Sequence, residues 1–310
     1  MARLWRDQVI LAKKGATYGV DSVPAAATDA MLATVDITIE ALAGQEVQRD
    51  IARPFLGHQG VEFVGTHVRA EFSVEFAGSG AAGEPPAYGV LLRACALAET
   101  TVATTSVAYE PVSASPEWVD IYMVLAGVKH VLLGARGTFV IDIAPAQIPR
   151  LRFTFLGLLG PITDAVVTGA DVSAFQRPLP ASKANTPVAT VHGLSAPVES
   201  FQFTLGNQVE PRMLINHESI ERVDRQTVGQ VVLEAQTLAV KNWFAIAQAR
   251  TRGAVALQHG KVAGNIITLS AAAVEIGRPG YGQSQQIVNN TIPLMFCSVD
   301  GDDEFALTFT

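Results

Sequence analysis

The residues best equipped for chemistry in this chain are scattered, and their spacing matches no catalytic or metal-binding pattern. Gly78-Ser-Gly-Ala-Ala-Gly83 is a literal GxGxxG. A dinucleotide site needs a buried parallel strand before such a turn. The residues that precede it alternate charged and apolar types, which describes a strand with one wet face, so the turn reads as a loop. His58, His67, His130, His192, His217 and His259 are dispersed; no two have metal-ligand spacing and none has a cysteine nearby. Asp302, Asp303 and Glu304 lack the glycine and closing glutamate of a calcium loop. Glu71 and Glu75 share one strand face, an ordinary surface pattern rather than a carboxylate pair for acid–base work. There is no Gly-x-Ser-x-Gly elbow and no cysteine–histidine signature. Cys95 and Cys297 are expected as reduced, small apolar core residues. No enzyme activity, no cofactor and no metal is expected.

The elements that position these residues are strands. From Thr66 to Phe76 the pattern is strict: Val68, Ala70, Phe72, Val74 and Phe76 face one way, and His67, Arg69, Glu71, Ser73 and Glu75 the other. Further strands are expected at 34–42, 117–125, 128–133, 137–143, 150–156, 200–205, 227–236, 265–269 and 286–296, with a last one at 305–309. Two helices stand out. One follows Pro85-Pro86, with Tyr88, Leu91, Leu92 and Cys95 on one face. The other is expected to begin after Thr237 as N-cap, with Val240, Trp243, Phe244 and Ala247 on one face. Trp118 and Tyr122, like Trp243 and Phe244, are either core residues or interface anchors.

Sliding the sequence by 159 positions lays Glu62–Glu75 on Glu221–Glu234 without a gap. Glu62, Val64 and Glu75 then match identical residues, Phe72 lies on Val231, and Val74 on Leu233. Upstream, Gly44-Gln-Glu-Val47 resembles Gly206-Asn-Gln-Val209. Each long strand is followed by one helix and then more strands, an order that points to an internal duplication. The expected fold is all-β with minor α: two tandem antiparallel β-sandwich domains, each with one flanking helix. The expected boundaries are an N-terminal arm at 1–33, a first β domain at 34–160, an extended proline-containing linker at 161–197 and a second β domain at 198–310.

Composition narrows the function classes. Hydrophobic residues make up 49% and charged residues 16%, a thinly charged surface of the kind that is covered by copies of itself. With 22 basic against 29 acidic residues the net charge is −7, the wrong sign for gripping DNA phosphates. No apolar run approaches the roughly 18 residues that span a bilayer. The stretch Val9–Ala12 is too short for a signal peptide, so synthesis in the cytoplasm is expected.

Several segments, in order, resemble major tail tube proteins of long-tailed, lambda-like bacteriophages. They are Gly15–Pro24, Val47–Gly57, Phe76–Gly80 with Leu91–Glu99, Val128–Thr138, Ile148–Gly157, Leu205–Val209 and Gly264–Leu269. The resemblance implies a structural protein of the virion tail, made in the host bacterium, whose sheets join across neighbours into a barrel around a lumen. It implies rings that stack through loops and terminal arms, and partners among other tail proteins: tape measure, terminator and distal tail. DNA would pass through transiently and without specificity. The simplest members of that family have one such domain and form six-membered rings. Two domains per chain therefore imply a trimeric ring with pseudo-sixfold symmetry, a hexamer being the alternative. Glu71, Glu75 and Glu234 are the expected lumen-facing residues. The competing readings are another virion component, a capsid decoration or tail terminator, and a β-sandwich module that binds a carbohydrate or host protein.

Overall fold

The computed structural model describes residues 3–310 of the chain. It is all-β with two short helices, and every strand pairing is antiparallel. One sheet runs through strands Thr38–Gln48, Val61–Glu75, Arg150–Leu159, Val128–Ile143, Val198–Thr204, Val228–Glu234, Ile287–Phe296 and Gly280–Ser284, each paired with the next. A second path joins Leu97–Val102, Ser106–Pro111, Ala306–Phe309, Ile267–Ile276, Gly253–His259 and Val188–Val191. Both paths cross from residues before 160 to residues after 197.

Alternation builds the layers. In Val61–Glu75, the residues Val68, Ala70, Phe72 and Val74 are buried, and the matching inward positions of Val228–Glu234 are Val231 and Leu233. The expected wet position Ser73 is buried instead. The incoming chain covers it: Thr34 N–H donates to the Ser73 carbonyl at 2.8 Å and the Ser73 hydroxyl donates to Asp36 at 2.9 Å. Phe139, Phe153, Phe155 and Phe203 from the first path pack with Val107, Tyr109, Leu269 and Leu307 from the second in one continuous core. Burying a Phe or Leu side chain contributes about 1.5–3 kcal/mol, so this shared core ties the two halves of the chain together.

The first helix, Gly89–Ala94, lies where its apolar spacing puts it, with Tyr88, Leu91, Leu92 and Cys95 all buried. The second, Trp243–Ala249, begins later than Thr237. The Thr237 carbonyl accepts from Val240 and Lys241 N–H in a turn, and Asn242 is the N-cap, its side chain accepting from Ala245 N–H at 3.0 Å. Trp243 is buried in the core, whereas Val240 is exposed. The two strands expected at 128–133 and 137–143 are one 16-residue strand that bends at a register shift between Leu133 and Arg136.

The strands Leu97–Val102, Ser106–Pro111, Val188–Val191, Gly253–His259 and Gly280–Ser284 lie outside the expected set, and so do two further elements. Gln8–Lys14 is a strand, paired along its whole length with Val119–Leu125, and Ile10, Leu11 and Ala12 are buried. Asn207–Leu214 and His217–Arg225 form a separate hairpin. Cys95 is a core residue as expected, but Cys297 is only half-buried, because it lies just beyond the end of its strand.

The element order after each long strand is the same in both halves: one helix, a two-strand hairpin, a second hairpin, then a further strand. The last strand differs in placement. Arg150–Leu159 inserts between Val61–Glu75 and Val128–Ile143, whereas Ala306–Phe309 joins the second path, between Ser106–Pro111 and Ile267–Ile276.

Candidate functional site

Directly opposed residues in an antiparallel sheet point to the same face. In the long sheet Glu75 lies opposite Arg150, Arg150 opposite Asp142, Asp142 opposite Gln202, and Gln202 opposite Gln230. Glu71 is an even number of residues from Glu75 in an unbroken register, and so is Glu234 from Gln230. All three candidate carboxylates therefore stand on one continuous outer face, although they come from opposite halves of the chain.

That face carries both signs of charge. Glu71 pairs with Arg69 at 2.5 Å, and Arg152 approaches Asp142 at 3.9 Å. Gln202 donates an amide N–H to Asp142 at 2.9 Å. These groups are open to water, where one ion pair is worth less than about 1 kcal/mol, so they mark a solvated polar wall. Arg150, Arg152, Asp142 and Gln202 were not singled out from the sequence. Their signal was the alternation of Arg150–Leu159 and Val128–Ile143 once those strands are paired.

The glycine-rich turn has a structural explanation. Gly80 N–H donates to the Gly264 carbonyl at 2.8 Å and Gly78 N–H to the Asn265 side chain at 2.8 Å. A Cβ at Gly264 would lie 2.4 Å from the Gly80 backbone. The loop is glycine-rich because two backbones from different halves touch there. The histidines remain apart, and among the described residues no group of three or more His, Cys, Asp or Glu is placed to hold a metal ion. Asp302 serves a structural network: it accepts from Ser113 N–H at 2.9 Å and from Arg225 at 2.9 Å, while Glu304 accepts from Arg225 at 2.7 Å. Of the ambiguous aromatics, Trp243 and Tyr122 are buried. Phe244 is partly exposed and packs against Tyr281 at 5.5 Å between centroids.

Two hairpins leave the sheet at the same end. The distal parts of Thr38–Gln48 and Val61–Glu75 carry a loop at 49–60, with Phe55 and Leu56 exposed. The Asn207–Arg225 hairpin exposes Leu214 and Ile215 at its tip. Each departs at a glycine with positive φ, Gly44 and Gly206. Val64 and Val223, identical in the shifted alignment, are both exposed on these hairpins.

A family model described as phage tail tube protein matches residues 5–295. The chain belongs to this family. A comparison with curated proteins returned no match. As a phage tail tube protein it is a structural component of the virion tail, and the family assembles with itself into a tube and works with other tail proteins. The family is structural rather than enzymatic. No helix among the described residues is long and apolar enough to cross a membrane.

Proposed function

We propose that this tail tube protein closes into rings of three chains with pseudo-sixfold symmetry. The rings stack into the conduit through which DNA is ejected into the host, and Glu71, Glu75 and Glu234 line the lumen. The observation that carries the reading is the continuous sheet that runs through both halves with a free strand at each edge. Among the described residues, Thr38–Gln48 pairs only with Val61–Glu75, and Gly280–Ser284 pairs only with Ile287–Phe296. A free edge recruits another strand, and closing the sheet on itself removes both edges. Joining the Gly280–Ser284 edge of one copy to the Thr38–Gln48 edge of the next extends the polar face around a ring.

A duplicated unit supports three chains rather than six. The halves repeat the same element order and the same hairpin-departure glycines. Glu75 and Glu234, aligned by the shift of 159, each end a strand on the same face. Arg69 and Arg152 on this wall are paired with Glu71 and Asp142, so in a chain of net charge −7 the wall offers DNA few unpaired cations. The remaining partners on this reading are the tape measure, terminator and distal tail proteins. The chain is made in the host cytoplasm before it enters the tail.

Negative-stain electron microscopy of the purified protein tests this. Long hollow tubes whose end-on averages have threefold symmetry support it. Strict sixfold rings of six chains would sink the duplication, and particles that never polymerise would favour a decoration protein, a terminator or a binding module.

A further inference from the structure

We propose that the recess between the two sheet paths in the second half of the chain is a binding site for the anion of a medium-chain fatty acid. The aliphatic chain lies between the paths and the carboxylate sits at Lys183. The site is independent of how rings close or stack.

The recess is an opening of the core. Ile143, Val198 and Phe201 come from the first path, and Ala189 and Leu257 from the second; together they line a space of about 520 Å³. Ile143, Phe201 and Leu257 are buried members of the core. Close-packed interiors hold few voids larger than a water molecule. A space of this size instead falls within the roughly 300–1,000 Å³ of sites that enclose a ligand.

The mouth is framed by residues 181–187, which are fixed to both paths. Ala181 N–H donates to the Gln147 carbonyl at 2.8 Å and Ala146 N–H to the Ala181 carbonyl at 2.9 Å, just past the end of Val128–Ile143. Gly260 N–H donates to the Asn185 carbonyl at 2.7 Å, just past the end of Gly253–His259. The Thr186 hydroxyl lies 3.1 Å from Nδ1 of His259, which is buried. A preformed rim costs a ligand little ordering entropy.

The chemistry of the wall selects the occupant. Lys183 is the one charged residue that lines the recess. It is exposed and has no ion-pair partner among the described residues. Its ammonium offers three donors and no acceptor, and Ser182 and Ser195 add hydroxyl groups to the lining. An ionised carboxylate is the complement, because it only accepts. Glu199 and Glu234 line an adjoining cleft that shares Pro145, Pro197 and Val198 with the recess but not Lys183. An anion is therefore favoured at the lysine end. The rest of the wall is mostly apolar and suits an aliphatic chain, which brings no polar group with it. A peptide in the same place would carry backbone N–H and C=O groups that each need a partner.

The test is isothermal titration of the purified full chain with decanoate, decanol and decyltrimethylammonium, each below its micelle concentration. Decanoate is expected to saturate at one molecule per chain. Decanol keeps the chain without the charge, and decyltrimethylammonium reverses the charge; both are expected to bind about fivefold or more weakly. Lys183→Glu is expected to abolish the preference for decanoate while leaving decanol binding and the melting temperature unchanged. Ala189→Phe, which fills the recess, is expected to weaken decanoate and decanol alike, with an unaltered far-UV spectrum. Ser195→Trp at the exposed rim serves the same purpose if the Phe variant does not fold. Decanoate that fails to saturate, binds no better than the other two, or binds the Lys183→Glu protein as tightly as wild type overturns the inference. Undiminished binding to a folded, recess-filled variant also overturns it, since the ligand would then be adsorbed elsewhere.

Discussion

Ile143 and Phe201 lie opposite each other in register, both buried, where the longest strand of the first half meets the first strand of the long sheet's second half. This pair sits in a seam of four register pairs from Val140–Thr204 to Ile143–Phe201, and the core beneath it is continuous. Unfolding either half would strip the other of a sheet neighbour and of buried area. The unassembled chain is expected to melt in a single calorimetric transition, with van't Hoff and calorimetric enthalpies in agreement. Two resolved transitions would show that the halves are energetically separate.

Tyr18 ties the early chain to the distal hairpin. Its hydroxyl accepts from the Ile220 N–H at 2.7 Å, and Ile220 is fully buried. The ring also stacks edge-on to Trp118 at 5.3 Å and lies under Arg136 at 5.2 Å. Tyr18→Phe keeps the ring contacts and orphans a buried N–H, so it is expected to cost about 1–3 kcal/mol in urea denaturation. An unchanged midpoint would show that Ile220 finds another acceptor.

Gly206 sits at φ +71°, and a Cβ there would lie 1.9 Å from the Gln226 carbonyl oxygen. Gly193 has φ +78° with open space around it. Gly193→Ala is expected to cost only the left-handed backbone penalty of about 1–2 kcal/mol. Gly206→Ala adds a backbone overlap and is expected to cost clearly more, and to loosen the Asn207–Arg225 hairpin in hydrogen exchange. Equal costs would place the hairpin hinge elsewhere.

Burial lowers the pKa of His259, His192 and His130 below the ordinary imidazole value. Around His192 the Lys241 ammonium adds to the lowering and the Val274 carbonyl opposes it; around His259 the Leu179 backbone opposes it. The folded state keeps these rings neutral while the unfolded chain takes up protons. Their contribution is complete above about pH 6.5 and is lost as pH falls through that value toward the lowered pKa values. Melting temperature is expected to drop from pH 7 to pH 5, less steeply in His259→Gln. A flat profile over that range would refute the assignment.

If Glu71, Glu75 and Glu234 line the lumen, changing all three to lysine turns a wall of mixed charge into a cationic one that holds DNA. Tubes of Glu71→Lys, Glu75→Lys, Glu234→Lys protein are expected to retain short duplex DNA in pull-down at 50 mM salt and release it as salt rises. Retention equal to wild type would place these residues on the outer wall.

The strands with clean alternation were legible in the sequence, and so was the helix at Tyr88–Cys95, because both periods report burial directly. The duplicated element order was also legible, since Glu62–Glu75 and Glu221–Glu234 keep the same inward positions. The strand Gln8–Lys14 was missed because its apolar residues are consecutive rather than alternating. The second helix start was misplaced because Thr237 and Asn242 are both capping types, and only the turn at Thr237 decides between them. The shared wall of Arg150, Asp142 and Gln202 depends on which strands become neighbours, and that is fixed by long-range pairing. The destination of Ala306–Phe309 was left open by the sequence for the same reason.

That strand has a consequence for the timing of assembly. Ala306–Phe309 is wedged between Ser106–Pro111 and Ile267–Ile276, and Phe309 packs edge-on against Tyr88 and Tyr109. A ribosome delivers it after both of the strands it bridges, so the growing chain lacks its keystone until synthesis has passed nearly everything else described. The space between the Tyr88 and Tyr109 rings is therefore filled only after the strands on both sides of it have been made.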